Sequence, residues 1–267
     1  MNPIAKELNH TITSGNPHLM EMISRVGEQL FFPKGILTQS AEAKEKAHRF
    51  NATAGIAREK GHTMRLDSVM NLIDKLRASE SLTYAPSFGL PDLRKLWREQ
   101  IYLKNPFLGD KPVSLPVVSS GITHGISVFA DLWIDSDDIV ILPEPMWGNY
   151  NMIFTVRKGA VIRQFPIFDE SGGFNLAAFE GQIKTAAQTH SKVVVMLNFP
   201  HNPSGYSVSR AEGEQIVRIL TAAAEAGTNI IAVTDDSYFG LFYEEETLKE
   251  SLFSLLTDMH PRLLAVK

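Results

Sequence analysis

The chain has 267 residues, of which 44% are hydrophobic, and it carries a formal net charge of −4. A chain of this length can bury a substantial core, so we expect either one large domain or a domain plus a small additional segment. The mild charge argues against nucleic acid or an anionic membrane surface as the main partner, and the lack of cysteine excludes disulfides, thiolate metal sites and cysteine nucleophiles.

The hydropathy pattern indicates the setting in which the protein works. The N-terminus lacks the basic start and apolar stretch of a signal peptide, and no run of about 18 apolar residues occurs. We therefore expect neither export nor membrane insertion. The absence of cysteine also favours a cytoplasmic protein, and we predict no metal site.

The first 110 residues contain helical patterns separated by extended stretches rich in Gly, Pro and Asn. Helices are predicted at residues 67–80 and 91–103. Such a segment could be an arm that packs on the main domain or on a second subunit.

From about residue 115 onward, short apolar runs alternate with longer amphipathic ones. The continuous Val, Ile and Leu runs predict strands that are covered on both faces, as in a mostly parallel sheet between helices. The fold class is therefore α/β, with a doubly wound sheet. The predicted strands are 115–119, 139–142, 160–165, 192–197, 229–234 and 262–266, and the predicted helices between them are 123–133, 176–189 and 210–226.

Polar, aromatic and glycine residues follow the predicted strands. In open α/β sheets, ligands bind beyond the carboxyl ends of the strands, so these positions are the candidates for a site. They are residues 119–123, 143–149, 198–205 and 235–238, and Lys267.

The segment Ser120-Gly121-Ile122-Thr123 opens a predicted helix. Exposed N–H groups and the positive end of the helix dipole would bind a phosphate there, with the Thr123 hydroxyl as a further donor. A plain helix N-cap is the alternative. The segment matches neither the GxGxxG nor the GxxxxGK[ST] pattern, which argues against dinucleotides and nucleoside triphosphates.

Three further side chains have both a functional and a structural interpretation. Trp147 could pack on the surface or form a flat wall for a planar ligand. Asp235 follows a buried strand, and it could cap a helix or pair with a cationic ring nitrogen. Tyr238 could pack in the core or place its phenol against the same ligand. Together these groups describe a planar, phosphorylated, cationic heteroaromatic ligand.

On these residues the sequence resembles the fold-type I pyridoxal-phosphate enzymes, and specifically the class I aminotransferases. The resemblance extends from about Asn51 to the end of the chain. It is carried by the stretch "NFPHNPSG" at 198–205, Asp235 with Tyr238, "PMWGN" at 145–149, and "YAPSFGLPDLR" at 84–94.

The resemblance implies how pyridoxal 5'-phosphate is held. Asp235 would pair with the protonated pyridine nitrogen, which keeps the ring an effective electron sink. Trp147 would stack on the ring. Asn202 would hydrogen-bond the 3-oxygen of the ring, and Tyr238 would share that oxygen.

The phosphate and the substrate have their own implied contacts. Gly121, Ile122 and Thr123 would hold the phosphate, chiefly through backbone N–H groups. Tyr84 resembles the tyrosine that reaches the cofactor phosphate of the other subunit, which implies a homodimer with shared active sites. Gly55 is the implied substrate contact, in a stretch that closes over the substrate.

The resemblance also shows where the chain departs from the family pattern. It implies an arm and substrate-closing segment at 1–61, an incomplete cofactor-binding large domain at 62–267, and the absence of the C-terminal small domain. The Schiff-base lysine would be Lys267 or a lysine a few residues beyond it, and the alternative for Lys267 is a surface lysine at a strand end. The arginine that binds the substrate carboxylate is missing too, so we expect the truncated chain to be inactive.

The implied reaction is transfer of an amino group from an amino acid to a 2-oxo acid. Two alternatives remain open from the sequence. The same cofactor pocket could serve a lyase or decarboxylase. The chain could also be a non-catalytic binding or regulatory protein that retains the pocket.

The turn "NFPHNPSG" is unusually stiff, since Pro200 and Pro203 restrict the backbone and Gly205 can adopt conformations that other residues avoid. Rigidity would hold the Asn202 amide ready for a ligand. We expect Asn198 instead to satisfy the backbone of the turn itself.

Overall fold

A computed structural model of the chain describes residues 1–23, 25–31, 36–53 and 57–267. The chain divides into two compact units, Met1–Ala85 and Pro86–Lys267. The predicted arm, residues 1–61, falls within the first unit, and its boundary at residue 61 stays a prediction.

The first unit is helical and extended, as the sequence predicts. Its elements are α1 (Pro3–Gly15), α2 (Pro17–Met22), α3 (Ile36–Lys46), β1 (Arg58–Glu59), β2 (His62–Thr63), α4 (Asp67–Met70) and α5 (Ala78–Ser81). The prediction of one helix over 67–80 is wrong, because only α4, a 3-10 turn at Ile73–Lys75 and the start of α5 form there. All residues of this stretch are exposed, so no apolar face is packed that could stabilise a longer helix.

The second unit contains the parallel sheet. Its helices are α6 (Pro91–Lys104), α7 (Ile122–Trp133), a π-helix (Asn151–Arg157), α8 (Leu176–Ala187), α9 (Arg210–Glu225) and α10 (Leu252–Leu256). Its strands are β3 (Ile139–Glu144), β4 (Val161–Pro166), β5 (Lys192–Asn198), β6 (Asn229–Asp235) and β7 (Leu263–Val266). The predicted helices at 91–103, 123–133, 176–189 and 210–226 are confirmed within a few residues.

The five strands form one sheet in the order β4-β3-β5-β6-β7, and all neighbouring pairs are parallel. Alternate residues of each strand enter two separate cores. Val193 and Val195 pack on the face covered by α8, α9 and α10, whereas Val194 and Met196 pack on the face covered by α7 and the π-helix. This arrangement confirms the doubly wound α/β prediction, and it explains why the strand sequences are apolar at almost every position.

One predicted strand, at 115–119, does not form within the described chain. Its backbone groups are bonded elsewhere: Arg94 donates through Nε to the carbonyl oxygen of Pro116 at 2.5 Å, and the N–H of Val118 donates to Phe88 at 3.1 Å. The apolar run therefore stays extended, but a side chain and a loop take the place of a neighbouring strand.

The strand order reverses between β3 and β5, because β4 lies on one side of β3 and β5 lies on the other. The chain leaves β3 towards the π-helix on one face, and it leaves β5 towards α9 on the opposite face. Ligands of open α/β sheets bind at such a reversal of strand order, so the carboxyl edge between β3 and β5 is the expected position of a site. In the described part of the chain, no helix is long and apolar enough to span a membrane.

Candidate active site

The N-terminus of α7 lies at this edge of the sheet. Gly121 precedes the helix with a φ of +107°, which is a left-handed conformation that favours glycine. No side chain caps the helix, and Gly121, Ile122 and Thr123 are exposed. The first N–H groups of a 12-residue helix therefore face outward without a capping side chain, as a phosphate site requires.

Asp235 ends β6 and is buried, with 4% of its surface exposed. The Tyr150 hydroxyl donates to its Oδ2 at 2.5 Å. Ser237 donates to Oδ1 through its hydroxyl at 2.6 Å and its N–H at 3.2 Å. No Lys, Arg or His of the described residues forms an ion pair with Asp235. A buried carboxylate held only by neutral donors is suited to a cationic ligand.

The turn after β5 is held from within. The Asn198 side chain accepts the N–H of Asn202 at 2.7 Å and donates to the carbonyl oxygen of Asp235 at 2.8 Å. The prediction for Asn198 is therefore confirmed, and this residue also connects the ends of β5 and β6. Gly205 has a φ of +75°, as the turn was expected to need. Among the described residues, the side-chain amide of Asn202 has no hydrogen-bond partner.

His201 joins two loops of the site. Its Nδ1 lies 2.8 Å from the Ser204 hydroxyl, and the ring also hydrogen-bonds the backbone of Pro145. Because proline has no N–H, the imidazole donates this bond to the carbonyl oxygen. Burial lowers the pKa of His201, and the bond to Pro145 opposes that effect only in part. The neutral imidazole therefore fixes the loop of Trp147 against the loop of Asn202.

Of the aromatic side chains at this edge, Tyr150 contacts the Asp235 carboxylate, and Trp147 and Tyr238 are neighbours of Tyr150. The Trp147 ring lies 5.4 Å from the Tyr150 ring, at an interplanar angle of 89°. Tyr150 is 3% exposed, and Tyr238 is 42% exposed. Burial, followed by the charge of Asp235 and the nearby Tyr238, raises the pKa of Tyr150. The Tyr150 phenol thus keeps its proton and remains a donor at neutral pH.

Lys267 lies apart from this group. Val266 pairs with Val233, so Lys267 follows on the face of the sheet opposite to that of Asp235. Its Nζ forms a short ion pair with Oδ2 of Asp236 and lies 4.8 Å from the centre of the Phe239 ring.

The structure thus brings most of the predicted site residues to one edge. Asn149 connects the phosphate candidate to the loop of Trp147, because its amide lies 3.5 Å from the Thr123 hydroxyl. Tyr84 belongs to the first unit and is fully exposed, and Gly55 lies outside the described residues. Sequence analysis missed Tyr150, although it directly follows the "PMWGN" stretch.

Comparison with known proteins matches residues 50–266 to the model of the family "Aminotransferase class I and II". The chain belongs to this aminotransferase family. A probable aspartate/prephenate aminotransferase of Aquifex aeolicus (strain VF5) is 27% identical over 77% of this chain and 49% of its own length. An aspartate aminotransferase of Bacillus sp. (strain YM-2) is 28% identical over 79% of this chain and 51% of its own length.

A solved structure confirms the aminotransferase fold. An aminotransferase from Anaerococcus prevotii superposes with a TM-score of 0.75 at 24% identity, covering 86% of this chain and 56% of its own. The chain spans about half the length of the curated relatives that it matches.

The buried His201 predicts a dependence of stability on pH. The unfolded chain takes up a proton on this residue near pH 6.5, whereas the folded protein does so only at lower pH. The free energy of unfolding should therefore fall as the pH drops below about 6.5, by at most about 1.4 kcal/mol per pH unit for one proton. Urea unfolding between about pH 7 and pH 5 measures this slope.

The variant His201→Gln should flatten the slope, because glutamine does not titrate. His48→Gln replaces an exposed histidine and should keep the slope of the wild type. Equal slopes in the wild type and His201→Gln would contradict the assignment.

Proposed function

We propose that the complete protein is a pyridoxal-phosphate-dependent aminotransferase that moves an amino group from an amino acid to a 2-oxo acid. Membership of the family and the names of the relatives support this activity. The observation that carries the proposal is Asp235, a buried carboxylate without a cationic partner in the described chain, at the edge of the sheet where α7 presents its uncapped N-terminus.

The residues at this edge fit the cofactor. We assign the phosphate to the backbone N–H groups at Gly121, Ile122 and Thr123, because they are exposed at a helix N-terminus. The cofactor, when bound, supplies an electron sink that stabilises negative charge on the substrate carbon. The protein's part is to position the cofactor and to set the charge around it.

Four side chains would hold the ring. Asp235 would face the ring nitrogen and stabilise its proton, because the carboxylate has hydroxyl donors but no competing cation among the described residues. Trp147 would cover one face of the ring. The unpartnered Asn202 amide and the half-exposed Tyr238 phenol would donate to the ring oxygen.

The activity test uses the complete protein with pyridoxal phosphate and an amino acid such as aspartate. We expect pyridoxamine phosphate to form in an amount equal to the 2-oxo acid released, measured by absorption and chromatography. Release of ammonia or carbon dioxide without pyridoxamine phosphate would contradict transamination.

Two adjacent aspartates provide a matched pair for the same experiment. Asp235→Asn should lower the affinity for pyridoxal phosphate by about 100-fold, because it removes the charge opposite the ring nitrogen. Asp236→Asn should change it by no more than about threefold, because Asp236 pairs with Lys267 on the other face. Equal losses in both variants would contradict the assignment of Asp235.

We propose that the lysine that bonds to the cofactor is not Lys267, and that it belongs to a part of the complete protein outside these 267 residues. The position of Lys267, paired with Asp236 on the opposite face from Asp235, supports this proposal. Borohydride reduction of the loaded protein, followed by peptide mass spectrometry, locates the modified lysine. We expect the label on another lysine, and a label on Lys267 would overturn the proposal.

We also propose that the protein is a homodimer with shared sites, in which Tyr84 reaches the phosphate of the partner's cofactor. The first unit exposes large apolar and aromatic side chains, including Leu66 at 71%, Leu82 at 83% and Tyr84 at 104%. Exposed apolar surface of this kind marks protein interfaces.

Hybrid dimers test the shared site. Tyr84→Phe and Asp235→Asn should each lower cofactor affinity when studied alone. After the two variants are mixed, hybrid dimers should regain one normal site, because one site then carries both defects and the other carries neither. Titration with pyridoxal phosphate counts the regained sites, and finding none would exclude sharing.

A further inference from the structure

Tyr150 is the one tyrosine of the described chain whose hydroxyl bonds to the Asp235 carboxylate, at 2.5 Å from Oδ2. It stands at the start of the π-helix, after the loop that carries Trp147. Its ring is stacked on Phe154 at 6.1 Å and lies perpendicular to Trp147 at 5.4 Å. A single buried side chain therefore contacts both the proposed ring-covering residue and the proposed ring-nitrogen partner.

The packing leaves the Tyr150 phenol little freedom. Phe154 is fully buried and Tyr150 is 3% exposed, so the ring is enclosed in the core on the α7 face of the sheet. A rigid phenol can hold a carboxylate oxygen in one orientation. The pKa of Tyr150 is raised by burial and by Asp235, so the hydroxyl keeps its proton and donates a hydrogen bond throughout the neutral range.

The two oxygens of Asp235 are held differently. Oδ1 accepts two hydrogen bonds, both from Ser237. Oδ2 accepts one, from Tyr150. A carboxylate oxygen can accept two, so Oδ2 retains one acceptor position. Without the phenol, a buried Oδ2 would lose its partner, and the carboxylate would turn to find another donor.

Resting on the proposed function, we infer that Tyr150 is a positioning residue: it holds the Asp235 carboxylate in the orientation in which it meets the nitrogen of the pyridine ring. The phenol keeps its own proton and exchanges none with the ligand. Tyr150 affects the affinity for the cofactor only through Asp235. The effect should therefore be seen only with a compound that has the ring nitrogen.

The test compares two compounds on the same protein. One is pyridoxal 5'-phosphate, and the other is 1-deazapyridoxal 5'-phosphate, in which carbon replaces the ring nitrogen. Tyr150→Phe should weaken binding of the first by about tenfold, because it removes a hydrogen bond to a charged group. It should weaken binding of the second by no more than about twofold, since that compound has no nitrogen for Asp235 to meet. Equilibrium titration of the complete protein measures both affinities.

Tyr206→Phe is the matched control. The Tyr206 hydroxyl also donates to a carboxylate, Glu212, at 2.6 Å, but it contacts none of the proposed cofactor residues. This variant should leave both affinities unchanged. In the cofactor-free protein at fixed pH, the side-chain carboxyl ¹³C resonance of Asp235 should move in Tyr150→Phe and stay in place in Tyr206→Phe.

A double variant keeps the test decisive if Tyr150→Phe folds poorly. In Tyr150→Phe/Asp235→Asn the group that loses the phenol is a neutral amide and not a carboxylate, and leaving a neutral group unpaired costs less, so this variant should fold. If Tyr150 acts through Asp235, the double variant should bind pyridoxal phosphate as weakly as Asp235→Asn alone. Additive losses would overturn the inference.

The outcomes separate the inference from the proposed function. If Tyr150→Phe binds both compounds equally less well, or binds pyridoxal phosphate as tightly as the wild type, the inference falls and the aminotransferase proposal stands. If the wild-type complete protein binds neither compound, the proposed function falls and the inference with it.

Discussion

The covering of both faces of one parallel sheet is the constraint on which the rest of the structure depends. Successive residues of a strand point to opposite faces of the sheet. Two adjacent residues at the end of a strand therefore enter different environments. Asp235 continues the face of Val233 and meets Tyr150, whereas Asp236 lies beside Thr234 and Lys267 on the other. Two adjacent carboxylates of one sequence thus come to have different partners.

The partners of the two aspartates differ in charge, because Asp236 has a cationic partner and Asp235 has neutral ones. Asp236 is compensated by the ammonium group of Lys267 and accepts a hydrogen bond from Ser251 at 2.8 Å. Asp235 is more deeply buried, with 4% of its surface exposed, and has only neutral donors within the described chain. A buried charge without a counter-charge is costly, and this cost is the reason for our proposal that a cationic ligand binds at Asp235.

Side-chain hydrogen bonds and ring contacts connect the loops at this edge to one another. Asn198 joins the ends of β5 and β6, and His201 joins its loop to Pro145. Tyr150 then joins the Trp147 loop to Asp235. Each connection is made by a buried or half-buried side chain to a neighbouring segment, so the groups that would contact the ring need little reordering on binding.

The sequence by itself determined the sheet and four of the long helices, and it predicted the class of ligand that we propose. Continuous apolar runs mark strands covered on both faces, and polar residues at strand ends mark the ligand edge. The predictions from sequence were wrong at 67–80 and at 115–119. The first stretch has no packed apolar face to stabilise a long helix, and the second has no neighbouring strand to pair with. Only the tertiary structure decided that Tyr150 meets Asp235 and that Lys267 meets Asp236, because those contacts depend on strand register and on which face each side chain takes.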